Sequence, residues 1–141
     1  MNDGLGTKAV VEIDGADFST LEEFFSHFDQ RALCGQHDWG RNLDAFNDVL
    51  RGGFGTPDGG FVLRWKQHAL SRQRLGHAET VRQLRLRLQR CHPDNTERVR
   101  ADLDRALLGQ GATVFDWLVG IVRVHGPDGA EAQDGVELAL D

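Results

Sequence analysis

Short apolar runs rich in β-branched residues mark the start, middle and end of the chain, and helical periodicities fill the space between them. Lys8-Ala9-Val10-Val11-Glu12-Ile13 reads as a buried strand closed by the turn signal Asp14-Gly15. Phe61-Val62-Leu63-Arg64-Trp65 reads as a second strand and Val136-Glu137-Leu138-Ala139-Leu140 as a third. After the first strand, Leu21, Phe24, Phe25 and Phe28 recur at helical spacing. Ser19-Thr20-Leu21-Glu22 has the spacing of a capping box, so a first helix is expected over about Thr20–Leu33. Gly35–Gly40 is a polar loop holding Trp39, and Asn42 is a good N-cap for a second helix over about Leu43–Arg51. Gly52–Gly60 cannot continue that helix.

Beyond the second strand, helical composition returns at Lys66. Residues 77–91 predict a basic amphipathic helix with Val81, Leu84, Leu88 and Cys91 on one face. His92-Pro93-Asp94 breaks it. A further helix over about Asn95–Leu108 places Val99, Leu103 and Leu107 inward. Val114, Phe115, Leu118, Ile121 and Val122 mark a last one, stopped by Gly126-Pro127. Strands joined through helices predict an α/β domain with a parallel sheet and right-handed crossovers. The whole chain, 1–141, is expected to form one domain.

The second helix divides most cleanly. At about 100° per residue, Leu43, Phe46, Val49 and Leu50 share a core-facing side. Asp44, Asn47, Asp48 and Arg51 share the opposite side. Asp44 and Asp48 then stand one turn apart, where like charges repel. A solvated helix face, neutralised by Arg41 and Arg51, would account for this. So would a pair of carboxylates awaiting a cationic partner.

Charge distribution sharpens the choice. Residues 1–62 carry eleven acids against four bases, and residues 113–141 carry six against one. Residues 63–112 reverse the balance with eleven bases against five acids. Acidic ends favour a cationic partner over nucleic acid. No apolar run is long enough to span a membrane and no signal peptide is visible, so the expected location is the cytoplasm.

Other constellations carry less. Cys34-x-x-His37 has a zinc-ligand spacing but no second pair to complete it, since Cys91-His92 are adjacent; neither metal nor cofactor is expected. The glycine run 52–60 lacks a following Lys-Ser/Thr and is no phosphate loop. As a catalytic pair, Asp44 and Asp48 lack a supporting histidine, serine or metal cluster, so no enzyme is expected. Trp65 and Trp117 read as core residues. Trp39 could pack its loop down or line a contact surface.

Trp39-Gly40-Arg41-Asn42-Leu43-Asp44-Ala45-Phe46-Asn47-Asp48-Val49-Leu50 resembles the central motif of the barstar family, intracellular inhibitors of barnase-type ribonucleases. The family pattern, aromatic-Gly-x-Asn-Leu-Asp-Ala-(Leu/Phe)-x-Asp, is kept at every fixed position. Lys8–Gly15 looks like the family's first strand and turn. Phe61–Gln67 is similar to its second strand and the helix start that follows. The resemblance covers about residues 7–75 and, more loosely, 113–140.

It implies a barstar-like fold, with a three-stranded parallel sheet packed against helices. It also implies that the second helix and the preceding loop block a ribonuclease active site, with Asp48 at the central phosphate-mimicking position and Asp44 its acidic neighbour. The partner-binding set so implied is Asp38, Trp39, Gly40, Asn42, Asp44, Asn47, Asp48 and Gly52. The partner would be a secreted guanyl-type ribonuclease, met by a monomeric inhibitor.

Three departures accompany the match. Asp38 stands where a tyrosine is expected and Asn47 where a tryptophan is expected. The acidic contact of the last helix falls on Ile121, Val122 or Arg123. They leave room for an immunity protein directed at another basic toxin. About residues 77–112 have no counterpart in compact family members and read as an inserted helical pair. They could be a packed hairpin or a second contact surface.

Overall fold

The computed structural model describes residues 8–33, 40, 42–52, 55–57 and 59–141. Strands β1 (Ala9–Asp14), β2 (Phe61–Lys66) and β3 (Val136–Leu140) form one parallel sheet in the order β1-β2-β3. Ala9 stands opposite Phe61, and Phe61 opposite Val136. Helices α1 (Leu21–Ala32) and α2 (Leu43–Leu50) lie between β1 and β2. Helices α3 (His68–Arg74), α4 (His77–Arg90), α5 (Thr96–Leu107) and α6 (Val114–Val124) lie between β2 and β3. The mixed α/β architecture expected from the residues, with its parallel three-stranded sheet, is the one observed.

Alternation along the strands decides which face is covered. Val11, Ile13, Phe61, Leu63 and Trp65 are buried with Phe24, Phe28, Phe46 and Phe115 in one core. The other face carries Val10, Glu12 and Arg64, and Arg64 Nε and Nη1 donate across the strands to Asp141 at 2.5 Å and Glu12 at 3.2 Å. Within the core, Phe46 of α2 meets Phe24 and Phe28 edge-on, with ring centroids 5.4 and 5.0 Å away. Such contacts fix the helix by its buried side.

Helices α4 and α5 bury a smaller core of Leu84, Val99, Leu103 and Ala106, against which Val81, Leu88 and Cys91 pack. Trp117 of α6 packs on both cores and joins them. The start of α4 is anchored by two buried side chains. Glu79 accepts the Leu21 N–H at the head of α1 (2.9 Å), and Thr80 Oγ1 accepts the Val114 N–H at the head of α6 (2.9 Å).

Three local expectations need correcting. The first helix is capped one residue later than expected: Thr20 Oγ1 accepts from the Glu23 N–H, and the Ser19 N–H donates to Glu23. Burying Leu21 sets the helix start there, which frees Glu22 to bond Gln83 and Arg82 of α4. Leu107 is exposed, and Ala106 faces inward with Val99 and Leu103. Seven residues from Val99 bring Ala106 within about 20° of the same direction, whereas the eighth overshoots it. Lys66 ends β2, and Gln67, with φ of 54°, makes the turn into α3.

Candidate functional site

Helix α2 presents the candidate face. Asn42 caps it, with Oδ1 accepting the Ala45 N–H at 2.8 Å, and Asn42 Nδ2 reaches the Gly40 carbonyl at 3.4 Å. Phe46, Val49 and Leu50 are buried, so the outward direction of Asp44 and Asp48 follows from packing. Both aspartates are exposed and one turn apart, as their spacing predicted. Asp44 has no hydrogen-bond or ion-pair partner among the described residues. Asp48 Oδ1 accepts from Arg51 Nη1 at 2.9 Å, and its other oxygen is open. Among the described residues Arg51 is the neutralising cation on this face; Arg41 lies outside them, as do Asp38, Trp39, Cys34 and His37. Past the helix, Gly52 has φ of 105°, a left-handed conformation natural to glycine, with open space around the position a Cβ would take.

The loop after α6 supplies a second layer behind this face. Arg51 is held bidentately by Glu131, with Nε and Nη2 donating at 2.8 and 3.0 Å. That pairing raises the Arg51 pKa and holds the Glu131 carboxyl below its usual range. One residue before Asp48, Asn47 does not stand outward as expected: it is half-buried and turns inward, because its Oδ1 meets Nε2 of the fully buried His125 at 2.7 Å. The same ring meets Asp134 through Nδ1 at 2.6 Å. Two neighbouring residues of α2 are thus strapped to one loop, Asn47 on the inside and Asp48 through Arg51 on the outside. The loop itself is tightly folded: the Glu131 N–H donates to the Val124 carbonyl, and a Cβ on Gly129 would lie 2.1 Å from that oxygen.

His125, Glu131 and Asp134 offer three atoms within 4.8 Å of one another, a spacing a metal ion could use. Arg51 already occupies Glu131, and His125 already occupies Asp134, which is the arrangement of a structural strap. These three residues escaped the sequence reading. Their signal was His125 itself, seven residues after Leu118 and three after Val122 on the apolar side of α6. A histidine there has to be buried and hydrogen-bonded.

At the last-helix positions where the family resemblance left no acid, Val122 is buried, Ile121 packs against the core and Arg123 is exposed. The acidic group that reaches the α2 face from this part of the chain is Glu131, from the loop that follows. No described helix is long and apolar enough to cross a membrane.

None of the curated proteins searched matches the chain. The family model for Barstar (barnase inhibitor) matches residues 8–103, a span from β1 through α2 and β2 into α5. With that match over most of its length and the parallel sheet that carries α2, the chain belongs to the barstar family.

Proposed function

We propose that this protein inhibits a secreted guanyl-type ribonuclease by seating α2 in the enzyme's active site, where Asp48 and Asp44 take the places of RNA phosphates. One observation carries the reading: two exposed carboxylates one turn apart on a helix whose opposite side is locked into the core. A ribonuclease that binds RNA gathers cationic groups, and a carboxylate can accept their charge-assisted hydrogen bonds. Because packing and the loop strap fix the helix beforehand, little ordering cost falls on association. Asp38, Trp39, Gly40, Asn42, Asn47 and Gly52 belong to the same proposed contact region. Asn42 and Asn47 act there by holding the helix. The inhibitor would work as a monomer in the cytoplasm, protecting the cell from nuclease not yet exported. Residues 77–112 would be an insertion within its single domain.

The test is an equimolar inhibition assay on a panel of purified guanyl-type ribonucleases that includes barnase. At least one enzyme should be silenced, and Asp48→Ala should restore its activity. If every enzyme in the panel stays fully active, the inhibitor reading is wrong. A second reading, an immunity protein for a different basic toxin, is favoured by Asn47 turning inward to His125. That leaves the contact surface without the large side chain expected there.

A further inference from the structure

We infer that α4 forms part of the same contact surface, and that the ribonuclease bound at α2 sets an acidic loop into the groove between α2 and α4. The inference rests on the inhibitor reading. Its first support is size. A stable protein complex buries roughly 800 Å² on each partner, drawn from about 20–30 residues. Helix α2 has eight residues, about 12 Å of length, and turns only one side outward. A partner centred on Asp48 and Asp44 must therefore extend over what flanks them.

On the flank of the first turn lies a groove of about 630 Å³. Leu43 and Asp44 form its α2 side, Leu21, Phe25 and Glu22 contribute from α1, with Glu22 already bonded to Arg82 and Gln83, and Arg87 and Arg90 line its α4 side. Asp44 thus belongs both to the acidic face and to the groove. Across it the sign of charge reverses. Arg90 has no hydrogen-bond or ion-pair partner among the described residues, and the Arg87 guanidinium sits 5.3 Å from the Trp117 ring centroid. The groove wall is held in place, since Glu79 and Thr80 pin the start of α4 to α1 and α6. A partner that is cationic at α2 meets cations again at α4 unless it changes sign there. The fitting occupant is an acidic loop with apolar side chains, bordering the ribonuclease's basic cleft.

The experiment uses the ribonuclease most strongly inhibited in the panel above. Arg90→Glu, and Arg87→Glu with Arg90→Glu, should raise the inhibition constant by about tenfold or more. Arg85→Glu with Arg100→Glu, exposed and outside the groove, should leave it unchanged. Hydrogen exchange should show residues 83–91 protected together with α2 in the complex. The inference is overturned if Asp48→Ala abolishes inhibition while Arg90→Glu inhibits normally and α4 exchanges as in the free protein; the inhibitor reading survives that result. It is also overturned if Arg90→Glu leaves inhibition intact but abolishes retention of a single-stranded RNA oligonucleotide, which would make α4 a nucleic-acid surface. A panel in which no enzyme is inhibited defeats the inhibitor reading itself.

Discussion

Nε2 of the fully buried His125 meets the side-chain oxygen of Asn47 at 2.7 Å, joining the end of α6 to the middle of α2 by a polar bond within a largely apolar contact. Asn47→Ala strands that ring nitrogen away from water and should lower unfolding free energy by about 1–3 kcal/mol. Urea denaturation measures it. Combining Asn47→Ala with His125→Phe should cost less than the two single losses added together, because the pair acts as a unit. Strict additivity would show that the contact contributes nothing.

Arg51 sits between Asp48 and Glu131 on the exposed face. Removing its charge leaves more negative potential around α2. Under the proposed function, Arg51→Gln should speed association with the ribonuclease severalfold at low salt, and the gain should vanish near about 0.5 M salt as screening shortens the reach of the charges. Stopped-flow mixing across a salt series is the measurement. Slower association at low salt would assign Arg51 a direct contact instead.

His27 predicts a pH effect. Its Nε2 accepts the Asp14 N–H at 3.0 Å, which a protonated ring cannot do, and burial pushes its pKa down. The unfolded chain therefore binds a proton first. Stability from this group is fully present above about pH 6.5 and is lost as the pH falls from there towards the lower folded value. Thermal unfolding midpoints should drop over that interval, and His27→Asn should flatten the drop. A second loss should set in as the pH falls into the ordinary carboxylate range, where the unfolded chain takes up protons first. It should run on to the lower folded values of two carboxyls: Asp14, lowered by the Ala16 N–H, and Glu22, where burial works upward but the bonds from Gln83 and Arg82 outweigh it.

Glu79 has a side chain only 5% exposed and receives Leu21 N–H, Arg82 and Gln83. Glu79→Ala should cost about 2–3 kcal/mol, since it leaves a buried helix-start donor without an acceptor. Chemical denaturation checks this. Hydrogen exchange should show the loosening at Leu21 and at the first turn of α4.

The residues that were readable in the sequence share a property: their pattern repeats. Phe24, Phe28 and Phe46 on helical spacing, and Val11-x-Ile13 and Leu63-x-Trp65 on strand spacing, announced the elements and the sheet. Asp44 and Asp48 were placed outward because Phe46, Val49 and Leu50 had to go in. What could not be read depended on single contacts between distant segments. Nothing near Asp48 points to Glu131, and nothing near Asn47 points to His125. Glu79 and Thr80 lie in the first turn of α4, and each satisfies a backbone donor of another helix. The capping shift from Ser19 to Thr20 had the same origin, because burial of Leu21 chose between two adjacent hydroxyls.

The order of the sheet also governs how the molecule can assemble. β1 pairs with β2 and β2 with β3, always parallel, so neither pairing can close without a long crossover. Contacts so far apart along the chain make for slow folding. The second crossover contains α4 and α5, whose own small core is built from residues close together in sequence. Formed early, that pair shortens the free chain that must close between Phe61 and Val136, easing the slowest search in the assembly. For a protein whose proposed task is to meet a nuclease before it acts, readiness in time would count alongside strength of binding.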